Sequence, residues 1–158
     1  MFVDRQDELS QLERLYRSER AEFFVLYGRR RVGKTELLQA FCADKPHLFF
    51  VATLSSDAEQ LASFSQAIWR YTHDQAPDGL TFPSWEAAFA ALGDLPGRPV
   101  VVLDEFSYLL GGNQAIASIL QKVWDGALRH GRIMLILCGS YIGLMERNVL
   151  GYGAPLYG

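Results

Sequence analysis

Gly28-Arg29-Arg30-Arg31-Val32-Gly33-Lys34-Thr35 decides how this chain is read. The stretch is G-x-x-x-x-G-K-T without deviation, the pattern of a loop that wraps phosphate. Each fixed position has a physical reason. Gly28 and Gly33 let the backbone turn tightly, so that successive N–H groups converge on phosphate oxygens. A helix beginning near Lys34 adds its positive end to that attraction. Lys34 is placed to reach the terminal phosphates, and the Thr35 hydroxyl to ligate Mg2+. The flanks agree with the loop. Glu22-Phe23-Phe24-Val25-Leu26-Tyr27 is apolar, aromatic and strand-length, and Glu36-Leu37-Leu38-Gln39-Ala40-Phe41 has helical composition. A basic glycine turn that binds nothing has no need of both.

Further along, Val100-Val101-Val102-Leu103 runs into Asp104-Glu105. A fully apolar run of this length reads as a parallel strand buried on both faces. An acid at its carboxyl end falls in the crevice where open α/β sheets take ligands. Asp104 is expected to hold the Mg2+, directly or through water, together with Thr35. Glu105, next to a metal-binding acid, is suited to orient and polarise an attacking water. On their own the two acids fit a solvated strand end equally well. The phosphate-loop pattern upstream tips the balance.

The rest of the chain reads as a single globular α/β domain. Its 158 residues are 49% hydrophobic, with ten Phe, seven Tyr and three Trp, which excludes a disordered chain. A net charge of −3 gives no global sign of a nucleic-acid or membrane surface. Cys42 and Cys138 fall in helix and strand contexts and read as buried thiols of a reducing cytoplasm. No signal-peptide core or membrane-length apolar run is present in the sequence. His47, His73 and His130 lack nucleophile or metal-ligand partners, and Trp69, Trp85 and Trp124 read as packing residues on helix faces.

Hydrophobic spacing predicts a helix from Arg5 to about Arg17, a strand over Glu22–Tyr27 and the loop helix to about Ala43. A strand over His47–Val51 and a helix from Asp57 to Thr72 follow. Residues 74–83 form the one long loop. Ser84 is expected to cap a helix carrying Trp85, Ala88, Phe89 and Leu92. The stripe Ile116, Ile119, Leu120, Val123, Trp124, Ala127 and Leu128 marks another helix, and Ile133–Cys138 a last buried strand. The alternation is β–α–β–α–α–β–α–β. It implies a mainly parallel sheet with helices on both faces, a three-layer α-β-α sandwich of the P-loop NTPase class with a Glu beside the metal-binding Asp. In that class the last strand lies between the other two. Ser140 at its end then reads either as a sensor of the γ-phosphate or as a turn and helix-cap residue.

With these pieces assembled, the chain resembles the archaeal-type ATPase family of P-loop proteins, relatives of the AAA+ and STAND ATPases. The resemblance rests on Phe2-Val3-Asp4-Arg5 with Glu8-Leu9, on Gly28 to Leu37, and on Asp104-Glu105-Phe106-Ser107-Tyr108-Leu109. It continues through Cys138-Gly139-Ser140-Tyr141-Ile142-Gly143-Leu144-Met145 and ends in Ala154-Pro155-Leu156-Tyr157-Gly158. It implies ATP as ligand and ATPase activity. Without an Asn-Lys-x-Asp element, nothing favours guanine. It also places Arg5 near the adenine. In the family the last motif is usually followed by an arginine, a lid or winged-helix region and often an output domain. Residues 1–158 are therefore expected to be an ATPase core, with weak turnover in the absence of those parts.

The expected nucleotide-binding residues are thus Gly28, Arg29, Arg30, Arg31, Val32, Gly33, Lys34, Thr35, Glu36 and Arg5. Thr35 and Asp104 are the expected metal ligands, and Glu105, Lys34 and Ser140 the catalytic set. Arg29, Arg30 and Arg31 read mainly as solvated or structural, with transition-state or partner contact as the other reading. Hydrolysis would drive a conformational cycle. The alternatives are a slow nucleotide switch that docks a protein or DNA partner and, less favoured by the Asp-Glu pair, a small-molecule kinase. Self-association is open, and no membrane partner is expected.

Overall fold

The computed structural model describes residues 6–27 and 33–139. Helix α1 (Gln6–Arg17) leads into β1 (Glu22–Tyr27), then α2 (Lys34–Cys42) and β2 (His47–Val51). Helices α3 (Asp57–Thr72) and α4 (Trp85–Leu92) precede β3 (Val100–Asp104). Helices α5 (Phe106–Gly112) and α6 (Ile116–Gly126), then a 3-10 turn at Leu128–His130, lead to β4 (Met134–Gly139). The strands pair in the order β1-β4-β3-β2, all parallel. The last strand is inserted between β1 and β3, as the P-loop reading expects.

Strand alternation builds two cores. On β3, Val100 and Val102 pack under the face that carries Leu12 of α1 and Leu37, Leu38 and Phe41 of α2. Val101 and Leu103 point the other way, into the core beneath α3 to α6 around Phe64, Phe89 and Leu120. On β4, Met134, Ile136 and Cys138 share the α2 side and Leu135 and Leu137 the other. This makes three layers, and it fixes one consequence for the site. Asp104, two residues beyond Val102, falls on the α2 face at the carboxyl edge of the sheet.

Local sequence sets the helix ends. Ser56 and Glu59 form a capping box at α3, each side chain accepting the other's backbone N–H at 3.1 Å. Ser84 caps α4 by accepting the Ala87 N–H at 3.1 Å. The Phe64 ring meets Phe50, Trp85 and Phe89 at 5.2–5.7 Å and locks α3 and α4 onto the sheet. Among the described residues no helix is long and apolar enough to cross a membrane.

Three expectations need correction. The alternation has one helix too few, because α5 follows β3 at once. Strand β3 stops at Asp104, and Glu105 is the N-cap of α5, not a strand end. The 116–128 stripe is a helix only to Gly126. Leu128 is still buried, but it sits in the 3-10 turn, and Ala127 is exposed. The last strand is shifted by one residue, to Met134–Gly139.

Candidate nucleotide-binding site

The site is assembled from α2 and from the carboxyl ends of β3 and β4. Gly33 enters α2 with φ 77° and ψ 22°, a left-handed conformation that glycine adopts without a side-chain penalty. A Cβ at Gly33 would meet nothing within 4 Å, so the requirement is torsional and not steric. The first bond of the helix, Leu37 N–H to Gly33 C=O, follows at 2.9 Å. Lys34 and Thr35 therefore occupy the first turn, where the free N–H groups give the helix its positive end. Lys34 is buried to 6% exposure, and the Glu36 side chain is exposed.

Thr35 meets Asp104 across 69 residues of sequence. The Thr35 hydroxyl donates to Asp104 Oδ2 at 2.9 Å. Asp104 is 4% exposed, and its other oxygen, Oδ1, accepts the Glu105 N–H at 2.8 Å. A buried carboxylate is costly unless its oxygens are partnered, and here both are. The pair suits Mg2+. Its proton given to Asp104, the Thr35 hydroxyl keeps its lone pairs for a hard cation. Among the described residues no three His, Cys, Asp or Glu side chains form a metal cage.

Glu105 adopts φ 55°, ψ 43°. Left-handed backbone at a residue with a Cβ costs ~1–2 kcal/mol, and such strain gathers at functional positions. The chain leaves the strand at Glu105, whose side chain is half-buried, and enters α5 at Phe106. Two residues on, Ser107 Oγ is buried without a hydrogen-bond partner, and it is the only such side-chain atom among the described residues. Native proteins carry few of these, so this turn is costly twice over. Cys138 on β4 lies within reach of all the charges. Burial first, then the Asp104 charge and a hydrogen bond to its carboxylate, raise the thiol far above its usual range, against a lowering influence of Lys34. The thiol is therefore protonated and inert at neutral pH.

Gly33, Lys34, Thr35, Asp104 and Glu105 come together as expected. Arg5, Gly28, Arg29, Arg30, Arg31, Val32 and Ser140 lie outside the described residues. Tyr27 and Gly139, the last described positions before the loop and before Ser140, are register partners. The cavities of about 240 Å³ beside Pro99 and Ile133 and about 650 Å³ beside Pro46 and His47 lie at the amino ends of the strands, away from this site.

The comparisons with known proteins agree with this geometry. The ATPase domain described as predominantly from Archaea matches residues 2–158. The chain belongs to that family. It is 34% identical over 158 residues to the uncharacterized protein MJECL04 of Methanocaldococcus jannaschii, covering all of this chain and 34% of that protein. It is 51% identical over 45 residues to the uncharacterized ATP-binding protein MJ0423 of the same organism, 28% of this chain and 76% of that one. Among solved structures, the Walker-type ATPase PABY2304 of Pyrococcus abyssi superposes with TM-score 0.62 at 23% identity, over 98% of this chain and 50% of that one. The Aeropyrum pernix ORC1 protein, solved in complex with DNA, gives TM-score 0.61 at 19% identity over 90% and 40%. At these identities the structural likeness speaks for the fold. The chain spans about a third of the MJECL04 protein and half of the PABY2304 structure.

Proposed function

We propose that this domain binds ATP with Mg2+ and hydrolyses it to drive a conformational cycle, residues 1–158 serving as the ATP-binding core. The observation that carries the reading is the junction of Thr35, Asp104 and Glu105. A hydroxyl and a carboxylate are hydrogen-bonded at 2.9 Å, and the chain turns out of the strand at the next residue, Glu105. Lys34 and the amides of residues 28–35 hold the phosphates, and Thr35 and Asp104 hold the cation. When bound, Mg2+ withdraws charge from the phosphate oxygens. Glu105 accepts a proton from the attacking water as its oxygen bonds to the γ-phosphorus. The β–γ bridging bond breaks, and ADP leaves with the electron pair. Ser140, following β4, is the proposed sensor of the γ-phosphate, and Arg5 the contact near the adenine.

Glu105→Gln is expected to keep Mg-ATP affinity and to slow turnover by ~10²-fold, the scale for loss of a positioned base. Binding of a fluorescent ATP analogue and steady-state phosphate release measure the two separately. Hydrolysis at the parent rate would remove Glu105 from the mechanism.

The second reading is a slow switch. It is favoured by Val51, the last residue of β2 and the register partner of Asp104, and by Leu54 three residues on, which are 48% and 88% exposed. Apolar groups there offer a protein or DNA partner a surface beside the nucleotide. ORC1 of Aeropyrum pernix, of the same fold, is one protein solved with DNA. Single-turnover kinetics separate the readings, since a switch retains ATP for many minutes.

A further inference from the structure

Gln60 lies on the first turn of α3, at 2% exposure, with both ends of its amide in use. Its Oε1 accepts the Thr53 N–H at 3.1 Å, and its Nε2 donates to the Tyr108 C=O at 3.2 Å. Each partner leads to the site. Tyr108 N–H donates to the Glu105 C=O at 2.9 Å, closing the first turn of α5. Ala52, next to Thr53, donates its N–H to the Asp104 C=O at 3.0 Å. One side chain thus bridges the segment alongside Asp104 and the turn that begins with Glu105.

That turn needs outside support. Helix α5 has seven residues, and its N-cap Glu105 makes no side-chain cap bond. It carries left-handed backbone at Glu105 and an unpartnered Ser107 Oγ. Short uncapped helices are marginal on their own. The far end of α5 is held separately. Asp57 accepts Trp85 Nε1 at 2.9 Å through Oδ1 and Asn113 Nδ2 at 3.5 Å through Oδ2. Helix α3 therefore grips α5 at two points, of which the Gln60 grip, at Tyr108, is nearer Glu105 in the chain than the Asp57 grip at Asn113.

We propose that Gln60 is a positioning residue for Glu105, holding the first turn of α5 so that the carboxylate faces the site. The proposal rests on the reading of Glu105 as the water-directing group. Binding of phosphate and metal uses α2 and Asp104, so Gln60 governs turnover and not affinity.

The test compares Gln60→Met, which removes both amide bonds at similar volume, with Asn113→Ala, which loosens the far end of α5. Rates are expressed per bound fluorescent ATP analogue, so that only folded molecules count. Gln60→Met is expected to lower kcat by ~10-fold, with KM and analogue affinity within twofold. It should also raise amide exchange over residues 105–109 but not over β3. In a Glu105→Gln background the same substitution should cost nothing more, the non-additivity of residues that act as one unit. Asn113→Ala should lower the thermal midpoint and spare kcat. The proposal alone is overturned by any of three results: exchange like the parent's, kcat within twofold of the parent's, or an equal loss in the Glu105→Gln background. A parent that hydrolyses no ATP, or hydrolyses it equally well after Glu105→Gln, overturns the reading of Glu105 and the proposal with it.

Discussion

The two ends of the sheet bury charge in opposite ways. At the amino end, Arg98 sits just before β3 at 7% exposure and donates to four backbone carbonyls, those of Leu15, Tyr16, Arg20 and Arg132. Leu15 and Tyr16 are in the last turn of α1, and the guanidinium lies 5.4 Å from the centre of the Tyr16 ring. Arg20 and Arg132 stand two residues before β1 and β4. One cation thus ties the starts of three strands to the end of a helix, as a second donor to Leu15 and Tyr16 carbonyls that already accept the Ser18 and Glu19 N–H groups. At the carboxyl end, Lys34 and Asp104 are as deeply buried, but beside strained backbone at Glu105 and an orphan hydroxyl at Ser107. A buried charge saturated by backbone is a fastener. Left-handed non-glycine backbone occurs at both ends, at Glu19 and at Glu105, so it is the unpartnered hydroxyl and the carboxylates beside Lys34 that set the carboxyl end apart, and on this difference the two ends can be told apart by experiment.

Arg98→Ala should give the largest effect. It takes the guanidinium from the Arg20 and Arg132 carbonyls, those of Leu15 and Tyr16 keeping the Ser18 and Glu19 N–H groups, at ~1–3 kcal/mol for each that water fails to reach. A loss near ~3 kcal/mol would move the thermal midpoint down by ~6–12 °C in a domain of this size. Nucleotide affinity, measured well below that midpoint, should stay at the parent value, because the whole length of the sheet lies between. A drop in affinity with an unchanged midpoint would reverse the assignment of the two ends.

Lys34→Ala should show the converse. Removing a charge-assisted contact to phosphate is expected to weaken ATP by at least ~10²-fold, equivalent to ~2.7 kcal/mol. Stability should change by less than ~1 kcal/mol, since relief from burying an ammonium offsets lost packing. Isothermal titration with Mg-ATP and a thermal melt on the same sample decide it. Parent affinity in a folded variant would break the phosphate-loop reading.

The contrast also marks what could be read ahead of the structure. Strands β1 and β2, helix α3 and the Ser84 cap all carry strong local signals, whereas the place of β4 between β1 and β3 followed from the fold class. Apolar strand-length runs, a helical stripe and a cap residue are written in consecutive residues. The meeting of Thr35 with Asp104 was legible because two motifs of the same chemistry imply it. Helix α5 was not. Seven residues are too few for a period to show, and Gly111-Gly112 ends it in residues of poor helix propensity. The left-handed turn at Glu105 was hidden as well, because Gly or Asn would signal it and Glu does not. Arg98 could not be singled out, since bonds to carbonyls leave no pattern in sequence. Gln60 did leave one trace. It lies four residues before Phe64 on the buried stripe of α3, a polar residue where the period calls for an apolar one.

The smallest effect is the most discriminating, because it has the unusual sign. Glu105→Gly removes the carboxylate and also the Cβ that makes φ 55° costly. If the strain is maintained for function, the variant should be more stable than the parent by up to ~1 kcal/mol, or ~2–4 °C in midpoint. It should bind Mg-ATP normally and lose turnover as Glu105→Gln does. The measurement is a melt of parent, Glu105→Gln and Glu105→Gly under one set of conditions, which separates the charge from the backbone. Glu105→Gln keeps the strained backbone and should melt with the parent. A destabilised Glu105→Gly would mean that the side chain earns its conformation through packing. The left-handed backbone at Glu105 would then be a matter of packing, and the carboxyl end of the sheet would be fastened much as the amino end is.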